Sequence, residues 1–338
     1  MRTSLIVLGL VCLLYGCGPL TVTIGQGVAD AKLKMTVVES EGRWFADRVA
    51  IIDISGLLIN ASRPGLLRRG DNPVGLLHEK LEMARRDHRV KAVILRLNTP
   101  GGTVTASDAM YRQILRFKQR SGKPVIGLMM DVAASGGYYI ACAADTLMAY
   151  PTAVTGSIGV IVQTVSLKPA LNRLGIEADA ITSGDNKDAG SWLSNLTPEK
   201  RAVLQALVDD FYQRFVDVVR GARPNIVAGR FDEMTDGRIV SGEEAAKAGL
   251  VDEVGDIYDA FALAKELAGI GEKRADLVFY HRPYSYVGSP YARTQQFTND
   301  RGELAPGSGS IQINLAQLNL GGRISDMSSG FYYLWQPP

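Results

Sequence analysis

Cysteine and histidine are both scarce in this 338-residue chain, at three residues each. Three cysteines cannot form a disulfide framework, so stability must come from a packed core. An excess of either charge is also missing. The 37 Lys and Arg stand against 35 Asp and Glu, a formal net charge of +2, and this argues against a general nucleic-acid binder. Internal repeats are absent too, which argues against a tandem duplication. What the chain does have is an ordinary globular composition, 46% hydrophobic and 21% charged, with 36 glycines. Length and composition allow one large or two medium domains with a sizeable core.

The first apolar run is short. After Met1-Arg2-Thr3, Ser4 to Leu14 carries no charge over eleven residues, the length of a signal-peptide apolar region and too short to cross a ~30 Å hydrocarbon core as a helix. It ends in Leu14-Tyr15-Gly16-Cys17, which looks like a bacterial lipobox. On that reading residues 1–16 are a removed signal peptide, Cys17 is lipidated, and residues 17–46 are a tether and lead-in. The protein is then exported and lipid-anchored to a bacterial membrane. The alternative is an uncleaved anchor continuing towards Ile24. Cys142, in the apolar run Ala141-Cys142-Ala143-Ala144, reads as a buried small hydrophobe.

Residues 47–280 carry the organised part. Val49–Ile54, Val90–Leu97, Val125–Met130 and Thr146–Tyr150 have the apolar, β-branched character of buried strands. Helical spacing separates them over Val74–Asp87, with Leu77, Leu81 and Ala84 on one face and charges opposite, and over Ala106–Gln119. A small-residue helix runs to Ala144. Strands alternating with helices predict an α/β fold, with a mainly parallel sheet or a right-handed β/α spiral. Thr197-Pro198-Glu199 opens the clearest helix, whose apolar face from Val203 to Val219 ends at Gly221. Residues 281–338 read as a flexible polar arm followed by an aromatic tail, Phe331 to Trp335. Docking of that tail in an apolar groove stands beside plain core packing or disorder.

Two glycine pairs follow strands, Gly101-Gly102 and Gly136-Gly137. Such turns can aim main-chain N–H groups at a developing oxyanion, or can simply let turn pack against helix. Neither has Rossmann or P-loop spacing. Ser135 lies at a helix start, where a hydroxyl suits a nucleophile and equally suits a cap. The histidines, His78, His88 and His281, lie in charged or polar surroundings, which weakens a Ser-His-Asp triad. A neutral lysine can serve as base instead. Lys187, in Ser183-Gly184-Asp185-Asn186-Lys187-Asp188, is a candidate, with a solvated turn lysine as the alternative. Asp188 beside it counts against the idea unless its carboxylate points elsewhere.

Four segments occur in order: Asn98-Thr99-Pro100-Gly101-Gly102, Ala134-Ser135-Gly136-Gly137-Tyr138-Tyr139-Ile140-Ala141, Thr155-Gly156-Ser157-Ile158-Gly159-Val160 and the Lys187 segment. Together they resemble the signal peptide peptidase A family, Ser-Lys serine peptidases with the Clp-protease/crotonase-like spiral. The resemblance covers about Val49 to Ala268 and also takes in Gly237-Arg238-Ile239-Val240-Ser241-Gly242 and Gly249-Leu250-Val251-Asp252. It implies Ser135 as nucleophile, Lys187 as general base, Gly102 and Gly136 N–H groups as oxyanion hole, and Ser157 as the residue orienting the lysine. It implies no cofactor and no metal. It further implies a homo-oligomeric ring of short, single-catalytic-domain subunits, with cleaved signal peptides or other unfolded apolar peptides as substrates. The competing readings are a crotonase-type acyl-CoA enzyme, which builds a similar oxyanion hole, and a non-catalytic membrane scaffold of the same fold.

Overall fold

The computed structural model describes residues 32–42, 46–62, 71–283, 287–292 and 331–335. The signal segment 1–16 and Cys17 lie outside the described residues, as does most of the arm. Its strands are β1 (Lys34–Ser40), β2 (Asp47–Ser55), β3 (Val90–Thr99), β4 (Gly101–Thr103), β5 (Val125–Ala134), β6 (Thr146–Ala149), β7 (Val154–Gly156), β8 (Ile239–Ser241), β9 (Glu253–Val254), β10 (Ala275–His281) and β11 (Tyr332–Leu334). The helices are α1 (Pro73–Arg86), α2 (Val104–Ser121), α3 (Gly136–Ala141), α4 (Lys168–Arg173), α5 (Pro198–Ala222), α6 (Phe231–Met234), α7 (Gly242–Ala248) and α8 (Ile257–Leu267).

The large sheet runs β1-β10-β2-β3-β5-β6-β9. From β10 to β9 every neighbouring pair is parallel, as the alternation of strands and helices predicts. Only β1 against β10, and β8 against β7 at the side of β5, are antiparallel. Strand succession follows chain order from β2 outward, and the chain then returns through α8 to place β10 beside β2. Both faces are therefore covered. On one face Leu77, Leu81 and Ala84 of α1, Met110, Ile114 and Phe117 of α2, and Phe215 and Val219 of α5 form one core. On the other, Ile257, Ala260, Phe261 and Ala264 of α8 pack on Ile51, Ile94 and Leu128. Strands covered on both faces need near-continuous apolar runs, which is why Val49–Ile54 and Val90–Leu97 are legible as strands.

Several boundaries differ from the expectation. Lys34–Ser40, assigned to the lead-in, is the edge strand β1 on β10. Strand β5 runs four residues beyond Met130, because its end pairs with β7 as well as β3. His281 ends β10 as a buried residue and shares a hydrogen bond with Thr36 Oγ1 (2.9 Å), so it belongs to the sheet and not to the arm. Part of the arm is docked: Arg96, buried and paired with Asp53 at 2.8 Å, donates to the Pro290 and Ala292 carbonyls. Cys142 is buried as expected, and burial pushes its thiol up to about 12, far from a reactive thiolate. Among the described residues no helix is long and apolar enough to cross a membrane.

Candidate active site

Three parallel strands bring the predicted residues to one end of the sheet. Thr99 of β3 pairs with Ala133 of β5, and Ala134 pairs with Gly156 of β7. The residues that follow, Pro100 to Gly102, Ser135 and Ser157, therefore leave the sheet side by side at strand C-termini, where open α/β sheets bind ligands. The Ser135 N–H donates to the Gly156 carbonyl (2.8 Å) and ties the two serine turns together.

Ser135 (φ 54°, ψ −115°) and Ser157 (φ 51°) are the only non-glycine residues with positive φ among the described residues. An L side chain in this region is strained, and such strain persists only where the surroundings over-determine it. Ser135 is 1% exposed, and its hydroxyl makes no capping bond to α3. The cap alternative is thus unsupported, and the hydroxyl sits at a strand-to-helix turn of the kind that presents nucleophiles.

The glycine turns pack backbone against backbone. Gly101 has φ +103°, and a Cβ there would lie 2.7 Å from Gly136 N and 2.1 Å from Tyr333 O. The Gly101 N–H donates to Thr99 Oγ1 (3.0 Å), while the Thr99 hydroxyl donates to Gly56 O (2.5 Å). On its other edge β4 bonds to Leu58: the Leu58 N–H donates to Gly101 O (2.8 Å), and the Thr103 N–H donates to Leu58 O (2.9 Å). That leaves the Gly102 N–H facing the opposite side. Helix α3 is held by Tyr138, whose hydroxyl donates to Leu250 O (2.7 Å), and by Tyr139, whose hydroxyl donates to Asp108 (2.9 Å). Burial pushes the Asp108 carboxyl up, but hydrogen bonds from Arg214, Arg112 and Tyr139 outweigh it and its pKa is lowered.

Lys187 makes no hydrogen bond or ion pair with the residues of this corner among the described residues. It is exposed on a turn, and its amine has no hydrogen-bond or ion-pair partner among the described residues. The Asp188 carboxylate pairs with Lys200 at 2.7 Å, which answers the objection that Asp188 holds the lysine proton in place. The structure thus brings Ser135, Ser157, Gly102 and Gly136 to one sheet end, with Lys187 on an exposed turn.

Sequence reasoning missed the companions of the site. Thr99 and Leu58 fix β4, and Ile161 and Tyr332 exchange hydrogen bonds of 3.0 Å each. Only the aromatic tail gave a signal. It forms β11, antiparallel to β4, with Tyr333 opposite Gly102.

An α/β core with a strained serine between two glycine turns defines a hydrolase-like architecture with a nucleophile corner. The chain belongs to peptidase family S49, a family of serine proteases. The family model matches residues 117–271. A candidate protease of Synechocystis sp. is 35% identical over 230 residues, 68% of this chain and 78% of that protein. Protease 4 of Salmonella typhi is 34% identical over 229 residues, 68% of this chain and 36% of that protein. The chloroplastic serine protease SPPA of Arabidopsis thaliana is 35% identical over 240 residues, 70% of this chain and 35% of that protein. The chain therefore spans about a third of the last two relatives. Membership of this family decides against the acyl-CoA alternative.

Proposed function

We propose that the protein is a membrane-tethered endopeptidase with a Ser135–Lys187 dyad that cleaves residual signal peptides or other unfolded apolar peptides. The observation that carries this reading is the convergence of Ser135, in its strained turn, with the Gly101-Gly102 and Gly136 backbones at one sheet end. Ser135 Oγ attacks the peptide carbonyl and Lys187, as neutral amine, takes its proton. The oxyanion is met by the N–H groups of Gly102 and Gly136. Lys187 then returns the proton to the leaving amine, and water releases the acyl group from Ser135 by the same route. Ser157 is a positioning residue that orients the lysine, as an Asp orients His in other triads.

A base on an exposed turn and a nucleophile at a buried corner are supplied most simply by neighbouring subunits of a homo-oligomeric ring. The segment around Lys187 supports this: Leu174 is 74% exposed, Trp192 55% and Val165 51%, an apolar surface that a second copy would cover. Lipidated Cys17 would tether the ring to a membrane.

The deciding assay uses a fluorogenic apolar peptide with wild type, Ser135→Ala and Lys187→Ala. Each substitution is expected to lower kcat by about 10³-fold or more with little change in Tm. Equal rates in all three would overturn the reading, and no hydrolysis by any of them would leave the scaffold alternative standing.

A further inference from the structure

Strand β11 is hydrogen-bonded on both edges. Tyr332 and Ile161 exchange both N–H···O bonds on one side, and β4 lies on the other. An extended segment inserted this way has the geometry of a peptide bound by β-augmentation. The register can be read further. The Val104 N–H donates to Phe331 O (3.2 Å) and the Trp335 N–H donates to Pro100 O (2.8 Å). Hydrogen-bonded pairs alternate along an antiparallel ladder, so Gly102 and Tyr333, midway between these two pairs, are themselves a bonded pair. The Tyr333 carbonyl therefore accepts from the Gly102 N–H.

The same oxygen is close to the other glycine turn. It lies 2.1 Å from the point where a Gly101 Cβ would stand and 3.0 Å from where a Gly136 Cβ would stand, and Gly136 N is 2.7 Å from the first point. One carbonyl of the chain thus sits where Gly102 and Gly136 meet. The Tyr333 ring is fully buried. It stacks on Tyr139 with centroids 5.1 Å apart and packs on Phe215 at 4.7 Å, and its hydroxyl donates to Phe211 O (2.7 Å). Tyr139 belongs to the helix that begins at Gly136, so one wall of the aromatic pocket and part of the glycine cradle share one helix.

We propose that β11 is an internal occupant of the peptide-binding groove: Tyr333 holds the place of the substrate residue whose carbonyl is attacked, and its ring fills the pocket that selects that residue. This rests on the assignment of Ser135, Gly102 and Gly136 given above. The substrate class it adds is an extended peptide with a large planar apolar side chain immediately before the cleaved bond, walled by Tyr139, Phe211 and Phe215. β11 must leave before such a peptide enters. Being covalently attached, it competes at an effective concentration on the order of millimolar.

The test compares the full chain with one ending at residue 330, using a fluorescent fluorophosphonate that labels the active serine. Labelling of the shortened chain is expected to be about tenfold faster or more. A synthetic Phe331–Pro338 peptide should slow it again, and the same peptide carrying Tyr333→Ala should be at least about tenfold weaker. Trp335→Pro, which removes the N–H bonded to Pro100 together with the indole but leaves the Tyr333 ring, should give a smaller acceleration in the full chain. This variant decides alone if circular dichroism shows the shortened chain unfolded: faster labelling supports the proposal and an unchanged rate overturns it. A folded shortened chain that labels no faster, with no inhibition by the peptide, also overturns it. Absence of Ser135-dependent labelling in every variant would instead sink the underlying assignment of the nucleophile.

Discussion

Burial lowers the Lys80 ammonium to about 8 against its ordinary value of 10.5, with the Asp53 charge opposing the shift. The side chain is 1% exposed, donates to Asp53 O (3.2 Å), and shares its surroundings with Arg96, Asp71 and Arg282. Between about pH 8 and 10.5 the unfolded chain keeps this proton while the folded chain has shed it. The unfolded state then binds more protons, so stability from this group rises with pH across that window, by up to ~3 kcal/mol. Urea unfolding of wild type and Lys80→Met at about pH 7.5 and about pH 10 checks this. The stability difference should move in favour of wild type at the higher pH, and an identical difference at both would refute it. Its place was half legible. Three residues from Leu77 and four from Ala84, position 80 falls on the apolar face of α1, yet lysine there reads as part of the charged face. Only the Asp53–Arg96 pair beneath, formed from two strands, explains the burial. The strained turns at Ser135 and Ser157 were likewise found as chemistry in the sequence, whereas their positive φ depends on the pairing of β5 with β7 and has no local signature.

Helix α5 carries a continuous apolar stripe but buries only part of it. Phe215, Val216 and Val219 are buried, while Val203 is 41% and Leu207 40% exposed. Periodicity established the helix, and Thr197 caps it through the Lys200 N–H, but periodicity cannot tell which part of a stripe its own chain covers. Two substitutions separate the halves. Phe215→Ala should destabilise the subunit by about 3–5 kcal/mol, because it empties the aromatic cluster with Tyr139 and Tyr333. Val203→Glu with Leu207→Glu should leave unfolding of the isolated subunit within about 0.5 kcal/mol of wild type. The same double variant should lower the assembly state by sedimentation and reduce peptidase rate with it. Loss of subunit stability comparable to Phe215→Ala would show that this half of α5 packs within its own chain. The short elements were the hardest to see. β7 and β8 have three residues each, too few for an alternation pattern, and they exist because the Ser157 turn needs a neighbour on each side.

At the scale of the molecule, the sheet gathers nucleophile and glycine cradle from one chain, while Lys187 is exposed and has no partner among the described residues; movement within the subunit and a second copy are the two ways to complete the proposed dyad. The two cases differ in a mixing experiment. Ser135→Ala supplies an intact lysine and Lys187→Ala an intact serine, and each alone should be inactive. If the dyad forms between copies, refolding equal amounts together places an intact serine beside an intact lysine at about a quarter of heterologous interfaces. Activity should then recover to about that fraction of wild type, provided the mixture is dissociated before reassembly. Simple mixing without dissociation should give none. A dyad closed within one chain predicts no recovery under either protocol, because no subunit in the mixture carries both groups. Recovery would also account for the exposed apolar surface around Lys187, since the same contact that buries Leu174 and Trp192 would carry the lysine to the neighbouring serine.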